Sequence, residues 1–187
     1  MYSPKIDLAV TMALDAHGLT MRKAGRGYQA SHVFAVAMIV ADFEFDEDAV
    51  IAALLHDSLE DTDLDPSAIR DTFGDHVLAI VGDVTEPKKA TPWRERKLAY
   101  IEQIRRSPRE ATRAVASADK IYNLSTMTEG LKTHGPTYWQ AFNAPPDELV
   151  WYQRTVFAML ESLWRHRILD EHSRCLNAFL AAAERVG

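Results

Sequence analysis

The chain has 187 residues, 47% hydrophobic and 26% charged, with a net charge of −6. That length suits one domain, or one domain with a helical extension, and the apolar fraction can fill a sizeable core. An acidic chain lacks the positive field that non-specific nucleic-acid binding needs, so no nucleic-acid partner is expected.

Cys175 is the sole cysteine, so no intrachain disulfide can form and a reducing, cytoplasmic setting is the simplest expectation. The first seven residues lack a signal-peptide core. No apolar run approaches a membrane span, so no membrane partner is expected either.

Helical periodicity runs through nearly the whole sequence and no stretch alternates as a strand does, which predicts an all-α fold. A first helix is predicted over about residues 4–17, with Ile6, Ala9, Val10 and Ala13 as its apolar stripe. The segment Arg22-Lys23-Ala24-Gly25-Arg26-Gly27-Tyr28 is basic and glycine-bearing, as an ordered loop is. A largely apolar second helix follows from His32 to Ala41, with His32 at its start. Asp46 is a good N-cap for the third, and Glu47 and Asp48 suit its positive end. Asp65-Pro66 restarts the chain as N-cap and N1 proline, and Phe73-Gly74 stops it. Asp75 caps the next helix. The polar, proline-bounded stretch Glu86–Pro92 reads as a loop, and Thr91-Pro92 opens a further helix. Ser107-Pro108-Arg109-Glu110 has the form of a capping box, launching a long helix through Asp119 and Asn123. Gly135-Pro136 and Asn143–Pro146 break the chain again. Two C-terminal helices follow, the first rich in aromatic residues that read as core packing. The whole is expected to be a single domain, with a core over about 4–130 and a C-terminal helical extension over about 136–187.

Leu54-Leu55-His56-Asp57-Ser58-Leu59-Glu60-Asp61-Thr62 places an imidazole and three carboxylates at the end of an apolar run. Read as one continuous helix, His56, Asp57, Glu60 and Asp61 share a sector roughly 140° wide, opposite Ile51, Ala52, Leu55 and Leu59. Such a cluster is a candidate metal or acid/base site, with a structural ion-pair cluster as the alternative. A metal site needs ligands from more than one element. His32, opening an apolar helix, and Asp119, among small apolar neighbours, are candidates for the remaining positions.

His32, His56-Asp57 and Asp119 resemble the H…HD…D pattern of the HD superfamily of metal-dependent phosphohydrolases. More narrowly, Ala52–Thr62 resembles the AALLHD-x-x-EDT motif of the (p)ppGpp hydrolase domain of Rel/Spo proteins and small alarmone hydrolases. Ala16-His17, Arg22-Lys23-x-Gly25 and Tyr28 resemble that family's AH…RK-x-G-x-x-Y segment. Phe73-Gly74-x-x-Val77, Val84-Thr85 and Ala118-Asp119-Lys120-x-x-Asn123-Leu124 match further motifs in order. The chain departs from the pattern in three places. One extra residue separates Tyr28 from His32, Val33 replaces the usual proline, and Glu86 stands where lysine is common.

The resemblance implies an HD-domain helical bundle with additional C-terminal helices on its core. It implies one divalent ion held by His32, His56, Asp57 and Asp119, with Mn²⁺ foremost and other divalent transition metals or Mg²⁺ as alternatives. Glu60 and Asp61 would act on the attacking water, and Arg22, Lys23, Tyr28 and Asn123 would face a small nucleotide substrate. The implied activity is removal of pyrophosphate from the 3′ position of guanosine 3′,5′-bis(diphosphate). A broader HD-type nucleotidase or phosphomonoesterase, and a silent regulatory module on an HD scaffold, stay open as alternatives. The C-terminal helices also offer a surface for a homo-oligomer.

Overall fold

The computed structural model describes residues 3–22, 27–87 and 91–186. Helix α1, Pro4–His17, begins as the sequence dictates. Ser3 Oγ accepts the Ile6 amide at 3.2 Å and Pro4 fills the first helical position. Gly18, at φ +52°, ends it.

Helix α2, Gln29–Asp42, starts three residues before the expected boundary, so His32 lies inside the first turn and is 2% exposed. The cause is the preceding loop. Its ends pair with each other: Arg22 N donates to Gly27 O at 3.1 Å and Gln29 N to Thr20 O at 2.8 Å. Met21 and Tyr28 form an isolated antiparallel bridge between these bonds. That stem fixes the chain at Gln29, and the helix can start there.

Helix α3, Glu47–Leu55, is capped by Asp46, whose carboxylate accepts the Ala49 amide at 2.9 Å. Every residue from Ala49 to Leu55 is buried. The expected continuous helix through Asp61 is not formed. The helix ends at Leu55, His56-Asp57 form a joint, and a short α4, Ser58–Asp61, follows. The backbone ladder restarts at Asp57, whose carbonyl accepts the amides of Glu60 and Asp61 at 3.2 and 2.9 Å.

Helices α5, Pro66–Phe73, and α6, Asp75–Val84, meet at Gly74, whose φ of +92° a side chain would strain. Helix α7, Trp93–Arg106, leads to α8, Glu110–His134, the longest element. The expected capping box is absent. Ser107 Oγ instead donates to Asp83 Oδ2 at 2.6 Å and accepts the Arg109 amide, while Glu110 accepts the Trp164 indole N–H at 3.0 Å. A buried hydroxyl gains more from a charged acceptor than from a backbone partner.

A 3₁₀ segment, Gly135–Ala141, joins α8 to α9, Pro146–Leu163, and α10, Ile168–Val186, completes the chain. Helix α8 is the axis, packing against α2, α3, α6 and α10. One buried apolar cluster extends from Ala9 to Ala182 and includes Tyr152, Val156 and Leu160 of α9 and Leu176 and Phe179 of α10. The C-terminal helices therefore contribute to the core. The described residues contain no β-strand, and none of their helices is long and apolar enough to cross a membrane.

Candidate metal centre

Three elements converge beside α8. Helix α2 supplies His32, the joint after α3 supplies His56 and Asp57, and α8 supplies Asp119 from a buried stretch running from Ala114 to Ile121. His32 Nε2 lies 3.2 Å from His56 Nε2 and 3.3 Å from both Asp57 Oδ2 and Asp119 Oδ1. His56 Nε2 lies 3.2 Å from Asp57 Oδ1 and 3.9 Å from Asp119 Oδ1. All four residues singled out as ligands are thus brought together.

The chemistry of this set fits a divalent cation. His56 Nδ1 lies 2.8 Å from Ala53 O, a partner that only accepts, so that nitrogen carries the proton. The Nε2 of the same ring faces the His32 Nε2. Two imidazole nitrogens and two carboxylates facing one small volume need a positive charge between them. Donor atoms of His32, His56 and Asp119 all lie within 4.8 Å of one another. Mixed imidazole and carboxylate donors suit a mid-row divalent ion. In the protein alone, protons do part of this work. Burial opposes a charged His32, but Asp119 and Asp57 outweigh it and raise its pKa. Burial likewise opposes a charged Asp57, yet His56 and His32 hold its carboxyl well below the usual range.

A second ring of polar groups fixes the carboxylates. Lys120 Nζ donates to Asp119 Oδ2 at 2.7 Å. The ammonium is buried between the rings of Tyr100 and Tyr152, at 5.2 and 5.1 Å from their centres. Asn123 Nδ2 donates to Asp119 Oδ1 at 2.6 Å, and Gln29 Nε2 to Asp57 Oδ2 at 2.6 Å. Arg22 Nη2 donates to Asn123 Oδ1 at 2.9 Å, and its guanidinium lies 5.2 Å from the centre of the Tyr122 ring.

Glu60 and Asp61 sit on α4, at the rim. Burial first, then the negative charges of Glu86, Asp57 and Asp61, push the Glu60 carboxyl up to about 7, against a smaller opposing pull from Lys97. Glu86 itself is ion-paired with both Lys97 and Arg96. Tyr28 stands at the loop end with 46% exposure, and Lys23 lies outside the described residues.

The HD-domain family model matches residues 9–141, a span that contains every one of these groups except Tyr152. The chain belongs to the HD-domain family. Within it, a *Haemophilus influenzae* protein named guanosine-3′,5′-bis(diphosphate) 3′-pyrophosphohydrolase is 36% identical over 121 residues, 62% of this chain and 18% of that protein. The bifunctional (p)ppGpp synthase/hydrolase SpoT of *Escherichia coli* is 32% identical over 124 residues, 64% of this chain and 17% of that one. The chain thus spans less than a fifth of these curated relatives. Two solved structures match it more fully. A protein from *Listeria monocytogenes* EGD-e shares 34% identity with a TM-score of 0.69, covering 78% of this chain and 91% of that one. A metazoan ortholog of SpoT, described as hydrolysing ppGpp, shares 28% identity with a TM-score of 0.76, covering 93% and 96%.

Sequence reasoning missed Gln29 and Lys120, although both carried a signal. Gln29 lies three residues before His32 and so shares its helix face once α2 starts at residue 29. Lys120 adjoins Asp119 in a run of small and apolar residues, where an unpaired ammonium would not be tolerated.

Proposed function

We propose that this HD-domain protein is a Mn²⁺-dependent phosphohydrolase that removes pyrophosphate from the 3′ position of guanosine 3′,5′-bis(diphosphate). The observation that carries this reading is the facing pair of imidazole nitrogens, 3.2 Å apart and flanked by Asp57 and Asp119. His32, His56, Asp57 and Asp119 would hold the ion. Bound there, it would supply positive charge to the phosphate oxygens and acidify water.

The remaining steps belong to the chain's own residues. Glu60, with its carboxyl near neutrality, accepts the proton of the attacking water. The water oxygen bonds to the phosphorus next to the 3′ oxygen, the bond to that oxygen breaks, and the 3′ oxygen leaves with a proton from solvent. Asp61 shares the α4 rim and orients the water. Arg22, Lys23 and Tyr28 face the nucleotide from the loop, where cations offset an otherwise acidic site. The relatives named for this reaction support the substrate, and the family match spans the candidate ligands and the Glu60-Asp61 pair.

The test is direct. Purified protein with Mn²⁺ is offered guanosine 3′,5′-bis(diphosphate), NADPH and deoxynucleoside monophosphates, and released pyrophosphate and phosphate are measured. Pyrophosphate release from the first, lost in His56→Ala, is expected. Turnover of the monophosphates alone would overturn the substrate.

A further inference from the structure

Both carboxylates of the proposed metal set are held by side-chain amides, and both amides lead back to the same piece of chain. Gln29 donates to Asp57 at 2.6 Å. Asn123 donates to Asp119 at 2.6 Å and accepts from Arg22 at 2.9 Å. Arg22 and Gln29 lie on opposite sides of the loop stem that Arg22 N–Gly27 O, Gln29 N–Thr20 O and the Met21–Tyr28 bridge close. The amide of Asn123 has only one workable orientation. A guanidinium only donates and a carboxylate only accepts, so the amide oxygen must face Arg22 and its nitrogen Asp119. Arg22 is therefore linked to a proposed ligand 97 residues away through a single side chain. Its Nη1 is buried and bonds to no atom of the described residues, so the guanidinium has capacity for a further acceptor.

We propose that this stem couples substrate binding to cation binding. Gln29 and Asn123 are positioning residues: they orient Asp57 and Asp119 and tie them to the stem that carries Arg22. A phosphate oxygen drawn to Arg22 shifts the guanidinium on Asn123, and the shift reaches Asp119. By linkage, a cation that fixes Asp119 must alter the affinity of Arg22 for an anion by the same factor. The extra residue between Tyr28 and His32 has a role here. It gives three intervening residues, so Gln29 and His32 fall on one face of α2 and Gln29 reaches Asp57. This inference rests on the proposed metal set, and its test separates the two.

Mn²⁺ binding to the full chain is measured by the loss of free-ion electron paramagnetic resonance signal, alongside melting of the metal-free proteins. Gln29→Ala is expected to weaken Mn²⁺ binding about 10–100-fold, as loss of groups that orient metal ligands does. Arg22→Ala, which removes no ligand, is expected to weaken it about 5-fold or more, within the usual range of coupling between sites. In an Asn123→Ala background, Arg22→Ala should have no further effect on Mn²⁺ affinity. Arg22→Lys keeps the charge but lacks the planar guanidinium that meets Asn123 and lies by the Tyr122 ring, and should fall between Arg22 and Ala. Circular dichroism of each metal-free variant checks that it is folded; Arg22→Lys carries the test if Arg22→Ala is not. Unchanged Mn²⁺ affinity in folded Arg22→Ala and Gln29→Ala, with a wild type that binds Mn²⁺, would overturn the coupling and leave the metal set standing. A wild type that binds no divalent ion would overturn both.

Discussion

Glu60→Gln is expected to be more stable than the parent at pH 8 and far less active. The wild-type carboxyl sits near 7 against an ordinary value of 4.5, because it is half-buried among Glu86, Asp57 and Asp61. A carboxyl whose folded pKa exceeds its unfolded one binds its proton more tightly in the folded state. That stabilisation is complete below the unfolded value and is lost as pH rises through the folded one. The window thus runs from about pH 4.5 to about pH 7. Its full size is about 3 kcal/mol, since each pKa unit corresponds to about 1.4 kcal/mol. Solvent screening of a partly exposed group lowers this to about 2–3 kcal/mol. Glutamine cannot ionise and so escapes the loss. For a chain of this length the metal-free variant should melt about 4–12 °C above the wild type at pH 8, and close to it at pH 4.5. The assay is calorimetry at both pH values in chelator, with initial rates of pyrophosphate release from pH 5 to 9. The wild-type rate should rise along an acid limb that lies below pH 7, because the bound cation favours the carboxylate, and the variant should lose that limb. Equal melting temperatures at pH 8 would refute the electrostatic reasoning. An unchanged pH profile would remove Glu60 as the base.

Added Mn²⁺ at a hundred times its dissociation constant should stabilise the protein by about 2.7 kcal/mol. That is about 5–11 °C in melting temperature, reversed by EDTA and absent in His56→Ala. Lys120→Met leaves Asp119 without its ammonium partner, and should cost about 3–5 kcal/mol by denaturant titration. A loss under about 1 kcal/mol would show that the pair is not what holds Asp119. Gly130→Ala puts a methyl group against the Tyr138 ring, too close for both to stay in place, and should cost about 1–3 kcal/mol. That penalty should vanish in a Tyr138→Ala background if the clash is its source.

The helical class and most helix starts were legible because they depend on local chemistry. Ser3-Pro4, Asp46 and Asp65-Pro66 cap their helices through side chains only a few residues away. The four candidate ligands were legible as a pattern, but not from any one segment, since His32 and Asp119 meet His56 only after α2 and α8 pack. Elements decided by distant partners were misread. Ser107 carries the local form of a cap, yet its hydroxyl is taken by Asp83 of α6, and Glu110 by Trp164 beyond α9. The start of α2 depends on a stem closed by Thr20 and Gly27, which periodicity cannot detect. Asn123, expected to contact the nucleotide, also bonds Arg22 and Asp119 within the protein, and its amide nitrogen has a second N–H beyond the one given to Asp119.

The joint at His56-Asp57 accounts for adjacent residues sharing one centre. Consecutive residues of a straight helix project about 100° apart and do not face a common point. Here Asp57 Oδ1 comes within 3.2 Å of His56 Nε2 at the turn that follows Leu55, where Asp57 takes φ −92° and ψ −7°. The same departure gives Glu60 and Asp61 a short helix of their own, tied to the centre through the Asp57 carbonyl. At this joint His56 and Asp57 face His32 and Asp119. Glu60 is left at the rim, in the field of Glu86 and Lys97. Dividing the cluster in this way lets one short stretch supply groups that hold charge still and a group that can exchange a proton near neutral pH.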